Sequence, residues 1–291
     1  MSVEVWGMIG AGVAALVAGL VLARGRFGAA SGAGRLIVLG PVFEAVALAI
    51  FAAEHSFAAR DLMPIVPRWI PVPLFWTYLV GAALLAAAIS FIAWRHVRWS
   101  AALLALLFLI IVATIDLPNL PTHVHQRLFW TLTVREMAFA SGAMVLAGSM
   151  WGSRMNSVGA VLMLLGRIFI AATFVFYAIQ HFLFPRFVPG VPLEKLTPVW
   201  IPAPTVIAYF AGITLLLAGV GLLIRRTIRI AAAGSGMVLL LLTLFFYVPI
   251  CVMEIHTPLA VEGINYVGDT LLFAGTALLA GFGQSDSPES W

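Results

Sequence analysis

The chain is 291 residues long, 63% hydrophobic and only 10% charged, with a formal net charge of +4. A soluble globular domain carries about 25% charged residues, so the composition excludes that class and points to an integral membrane protein. The positive charge lies in arginine clusters within short loops, which bears on topology and lipid headgroups and not on nucleic acid. Cys251 is the single cysteine, which excludes an internal disulfide or a dithiol mechanism confined to this chain.

Runs of about 20 apolar residues suffice to cross the hydrocarbon layer. Barrel strands would alternate apolar with polar, and these runs do not, so the expected fold is all-α. In chain order the spans are Val3–Ala23, Leu36–His55, Leu74–Trp94, Trp99–Leu117, Leu132–Met150, Val158–Phe182, Pro204–Ile224, Ile228–Val252 and Tyr266–Phe282. The first lacks the basic n-region of a signal peptide and is followed by Arg24 and Arg26, so it reads as a retained leader helix. About nine transmembrane helices are expected: a leader (1–30), two four-helix units (31–152 and 153–283) and a short tail (284–291).

The two units are read from an internal repeat. His55 closes an apolar helix, a segment with Pro64 and Pro67 follows, and Trp69-Ile-Pro-Val-Pro73 enters the next helix. The same order returns at greater length from His181, through Phe184-Pro185 and a Pro-rich loop, to Trp200-Ile-Pro-Ala-Pro204. From Trp69 and Trp200 onward the register holds: Tyr78 with Tyr209, Gly81 with Gly212, Arg95 with Arg226, Arg98 with Arg229, Pro118 with Pro249, His125 with His256. After a small insertion Glu136 falls opposite Asp269 and Gly142 opposite Gly275. Four helices is an even number, so the units share one orientation, related by an axis along the membrane normal.

The loops alternate in character. Arg24, Arg26 and Arg35, then Arg95 and Arg98, then Arg154, then Arg225, Arg226 and Arg229 mark short basic loops, whereas the Pro-rich loops are of mixed charge. The positive-inside rule places the basic set in the cytoplasm, the N-terminus outside and the C-terminus inside a bacterial inner membrane.

Ionisable groups within or at the edge of the membrane are costly, and each is a functional hypothesis. Most cluster at the outer ends of helices. His55 and His181 are either helix C-terminal caps or proton donors and hydrogen-bond partners for a ligand carbonyl. Glu136 and Asp269 are either favourable charges at helix N-termini or carboxylates that relay protons. His125 and His256 lie at matching places in outer loops. With the carboxylates they form the inventory of a transition-metal site, although x-spaced pairs in a loop are a weak signature for a metal ion. Glu44 and Arg167 sit deeper, and mid-bilayer charges seldom stand alone. They are expected to pair with one another or with a polar group on another helix. Trp69, Trp200 and Phe184 are either an ordinary aromatic belt or the walls of a slot for a flat redox headgroup such as a quinone.

The run Gly166-Arg167, His181-Phe182, Phe184-Pro185, Trp200-Ile-Pro-x-Pro and the helix with Gly212 resembles the DoxX-like family of four-helix membrane proteins. The second unit looks like a complete member. The first is similar but departs from it, with Pro41 where Arg167 stands and Ser56 where Phe182 stands. The resemblance implies an association with thiosulfate:quinone oxidoreductase or other membrane oxidoreductase assemblies.

The expected function is therefore a quinone-linked oxidoreductase or its membrane subunit. In it His181 and His55 bond the quinone, Asp269, Glu136, His256 and His125 serve proton transfer, and Trp200, Trp69 and Phe184 pack the ring near Arg167 and Glu44. No flavin, haem-attachment or iron–sulfur motif is present, so a redox partner protein or larger complex would supply electrons. A non-catalytic scaffold subunit and a proton-coupled small-molecule transporter are the competing readings. A transporter normally carries its polar groups at the midplane.

Overall fold

The computed structural model describes residues 2–151, 157–191 and 193–283. Arg154 and the tail 284–291, both used above for topology, lie outside the described residues. Among those described, no strand forms beyond one isolated bridge between Phe187 and Leu196. The described residues form nine long helical segments. They are α1 (Val3–Ala29), α2 (Gly34–Phe57), α3 (Pro73–Ala93), α4 (Val97–Thr122), α5 (Arg127–Trp151), α6 (Val158–Leu183), α7 (Pro204–Leu223), α8 (Ile228–Glu254) and α9 (Ala260–Leu279).

Seven of these are long and apolar enough to cross a membrane, and the protein is a multi-pass, all-helical membrane protein. The exceptions are α5 and α9, and their place in the bundle explains why. Every residue from Ala138 to Gly148 of α5 and from Leu272 to Gly281 of α9 is buried. Helices that face protein on all sides need not be apolar to suit lipid, so these two alone bear Arg135, Glu136, Glu262 and Asp269. The outer helices show the converse, with Val13, Val17 and Val21 of α1 and Ile213 and Leu217 of α7 exposed as a lipid-facing surface should be.

Neighbours follow a regular plan. α5 packs against α4 and α6, α9 packs against α8 and α2, and the two touch each other. α5 thus leans on α6, and α9 on α2. Small residues allow the closest approaches, as they do where membrane helices cross without a hydrophobic driving force. A Cβ on Gly148 would lie 2.6 Å from the Gly159 carbonyl, and one on Gly166 2.6 Å from the Ser141 carbonyl. The leader helix α1 docks on α2 in the same way, with Gly12 against Ile50 and Gly19 against Val42.

Local irregularities recur in step. Val72 and Ala203, the residues before Pro73 and Pro204, both take left-handed backbone angles, with φ of 54° and 47°. A π-helical turn interrupts α4 at Val112–Asp116 and α8 at Thr243–Tyr247. The interval from Val72 to Ala203 equals that from Val112 to Thr243.

Candidate buried charge centre

The central feature is Arg135 on α5. Its guanidinium donates to Asp269 Oδ2 of α9 at 2.7 Å and to the neighbouring Glu136 Oε1 at 2.8 Å. Asp269 is 6% exposed. A carboxylate so deep is tolerable only with a partner, and here the partner comes from the helix it packs against.

Three further helices bring polar groups to this centre. Asn265 stands one turn before Asp269 on α9 and donates to Glu54 Oε1 of α2 at 2.7 Å. Glu54 lies within electrostatic range of Asp269 and Arg135. Asp116, in the π-turn of α4, is in range of Glu136 and Arg135. From α6, the Tyr177 hydroxyl donates to the Thr131 carbonyl at 3.0 Å and lies in range of Arg135. Asp116 Oδ2, Asn265 Oδ1 and Arg135 Nε are buried without a protein partner. The centre gathers four carboxyl groups around one guanidinium.

His181 lies elsewhere and is 1% exposed. Its Nδ1 is 2.5 Å from the Tyr177 carbonyl, one turn earlier on α6, and its Nε2 is 2.8 Å from the Gly190 amide. A carbonyl can only accept, so Nδ1 carries the proton and Nε2 accepts from Gly190 N–H. Both nitrogens are thus spent inside the protein, and the ring fastens the Pro-rich loop over the end of α6.

Three other contacts fasten the same loop. The Tyr247 hydroxyl donates to the Pro189 carbonyl, and Arg127 donates to the Leu193 carbonyl at 3.0 Å and lies over Phe187. Lys195 sits 2.7 Å from Glu254 and 3.0 Å from Glu262, tying the loop to the α8–α9 connection. Burial works against the Lys195 ammonium, but the two carboxylates outweigh it and raise its pKa.

The expected site residues are therefore scattered. Glu136 and Asp269 are brought together, through Arg135 and not through a histidine. His55 bonds the Phe51 carbonyl through Nδ1 at 2.8 Å, while His125 and His256 are exposed in loops. Among the described residues no ion pair or hydrogen bond joins a histidine to either carboxylate, and no group of three or more His, Cys, Asp or Glu could hold a metal ion. Trp69 is 71% and Trp200 42% exposed, and Phe184 sits beside Arg127. Glu44 and Arg167 do not pair with one another. Glu44 Oε1 accepts from the Thr276 hydroxyl at 3.3 Å, and Arg167 donates to the Ala280 and Phe282 carbonyls at 2.9 and 2.5 Å. Each finds its polar partner on or just after α9.

Reading residues one at a time missed the centrality of Arg135 and the parts played by Glu54, Asn265 and Asp116. One signal was available. Asn265 and Asp269 are four apart on a helix and share a face, so a polar stripe on α9 was there to be read.

What fold and site define is a class: a polytopic helical membrane protein with a buried arginine–carboxylate centre between its two halves. Set against known proteins, the chain matches no family model, no curated protein and no solved structure.

Proposed function

We propose that this protein is a membrane subunit of quinone-linked redox chemistry whose own part is to take up and pass protons at the Arg135 centre. The observation that carries the proton part is the surplus of carboxyl groups there. Glu136 and Asp269 both bind Arg135, Asp116 and Glu54 stand in range, and one buried oxygen of Asp116 has no partner. In a medium of low dielectric such a surplus is relieved by binding protons, which suits a relay. The quinone part follows from the resemblance of the stretch from Gly166 to Gly212 to DoxX-like proteins. In this reading His181 holds its loop in place, His55 caps its own helix, and the chemistry lies with the acids.

The topology that goes with it is nine crossings of a bacterial inner membrane, N-terminus outside, with a leader helix and two parallel four-helix repeats. The recurring left-handed residues, the matching π-turns and the exchanged packing of α5 and α9 support the duplication.

The test uses the full chain purified in detergent. Stoichiometric quinone is expected by extraction and mass spectrometry. Infrared difference spectra across a pH step are expected to show a carboxyl band that changes in Asp116→Asn and in Asp269→Asn. If no quinone co-purifies, the redox part fails; if wild type shows no such band, the proton part fails. A scaffold subunit is the second reading, favoured by the closure of both His181 nitrogens. It gains if neither signal is found while the chain co-purifies with a larger complex.

A further inference from the structure

At the end of the bundle away from the charge centre, the tight turn between α3 and α4 and the end of α5 enclose an open cavity of about 370 Å³ lined by Trp94, His96, Val97, Arg98, Trp99 and Met150. No acid lines it. Beside it a second hollow of about 160 Å³ runs along α4 against α5 and α6, lined only by apolar residues, among them Ala102, Ala105, exposed Leu106, Leu109 and Ala147. Trp99 belongs to the first and Trp151 to the second, and their rings meet edge to face at 5.4 Å. The Arg98 guanidinium lies over both, 4.8 Å and 5.4 Å from their centroids.

The two hollows form one path. Arg98, Ala102, Ala105, Leu106 and Leu109 follow at helical spacing on one face of α4. Met150 and Ala147, three apart on α5, line the cavity and the groove respectively. From residue 102 to 109 the groove runs about 10 Å along the helix, against about 15 Å for the hydrocarbon of one leaflet. A charged head at the boundary and an apolar channel running inward from it describe a lipid.

We propose that this surface holds one anionic phospholipid, its phosphate against Arg98 and His96 and an acyl chain along the alanine-lined groove. Charge selects the lipid: among the described residues the cavity offers the Arg98 guanidinium and no carboxylate, so a zwitterionic head gains less there. The small side chains at 102, 105 and 147 leave the depth that a methylene chain fills. The edge-to-face tryptophans hold the guanidinium at the junction of head and tail.

The test is native mass spectrometry of the delipidated full chain, titrated with phosphatidylglycerol, phosphatidylcholine or tail-less glycerol phosphate. One retained phosphatidylglycerol is expected, with phosphatidylcholine held more weakly and glycerol phosphate not competing. Arg98→Gln should weaken phosphatidylglycerol about fivefold, as loss of one interfacial cation implies, and phosphatidylcholine by less. Ala102→Phe, which fills the groove, should weaken both lipids. Should that variant unfold, Leu106→Trp alters an exposed groove position and takes its place. Equal phosphatidylglycerol binding in wild type and Arg98→Gln overturns the proposal. So does glycerol phosphate binding as well as the lipid, which would mark a bare anion site, or a filled groove that changes nothing.

Discussion

His55 and His181 close helices α2 and α6 in the same manner, yet only one of them holds a loop. Each donates from Nδ1 to the carbonyl one turn earlier, and each lies against the glycine of the following helix, Gly81 or Gly212. In the second half the longer Pro-rich loop folds back far enough for Gly190 to reach the imidazole, and it buries Val188, Val191 and Leu193 as it does so. The first loop is shorter and leaves Trp69 and Val72 exposed. The same side chain therefore does two jobs: a helix cap in one half, a clasp in the other. Loop length decides which, and the histidine motif by itself does not mark chemistry.

The halves differ in the same sense at the charge centre. The first supplies Arg135, Glu136, Glu54 and Asp116, and the second answers with Asp269 and Asn265. At the place opposite Arg135 the second half has Gly268, packed against Phe51. The largest effect is thus expected from Arg135→Gln, which strands two buried carboxylates and should cost about 3–5 kcal/mol, read as a lowered thermal midpoint in detergent. Adding Asp269→Asn to the same chain should recover part of the loss. A double variant no better than the single one would show that Arg135 does not hold the halves together.

Next comes the clasp. His181→Ala leaves the buried Gly190 amide without a partner, at about 1–3 kcal/mol. Hydrogen exchange at Gly190 should rise with it. His55→Ala removes one bond at a partly buried site and should cost less than about 1.5 kcal/mol. Equal losses would erase the distinction drawn between the halves.

How much of this the sequence showed depends on distance along the chain. The helices were legible because twenty apolar residues in a row report their own environment. α5 and α9 were found as spans although their polar groups make them the least apolar of the set, and what those groups do was not legible. Arg135 meets Asp269 only because two helices far apart in sequence cross, and nothing local to Arg135 states that. His181 was singled out for good reason, but its role turned on Gly190, whose amide leaves no trace in side-chain patterns. Trp69 and Trp200 fitted an aromatic belt and a ligand slot equally well by type.

A smaller effect is expected from Tyr247→Phe. Its hydroxyl holds the Pro189 carbonyl, and losing that bond should cost about 0.5–1.5 kcal/mol and speed exchange at Gly190 without moving the centre. Asp116, which stands at the matching place in the π-turn of α4, faces the charge centre instead, so Asp116→Asn should leave loop exchange unchanged. A rise in both variants would mean that the π-turns act through the bundle and not through the tether.

The smallest effect belongs to the ion pairs on the loop. The side chain of Lys195 is 10% exposed, but its partner Glu262 is 47% exposed and well screened, so Lys195→Met should cost about 0.2–1 kcal/mol. The pH dependence gives the sharper test. Glu254 and Glu262 raise the Lys195 pKa above its unfolded value near 10.5, against the pull of burial. A group raised in this way binds its proton more tightly when folded, so its contribution is present in full below about 10.5 and is lost as pH climbs through the folded value. The gap in stability between wild type and Lys195→Met should be constant near neutrality and close under alkali. In the shorter first loop no ion pair is made by Arg68 among the described residues, so Arg68→Met should show no such pH-dependent gap. If both variants behave alike, the carboxylates do not hold Lys195 in the folded protein, and the second loop is fastened by its histidine, tyrosine and arginine alone.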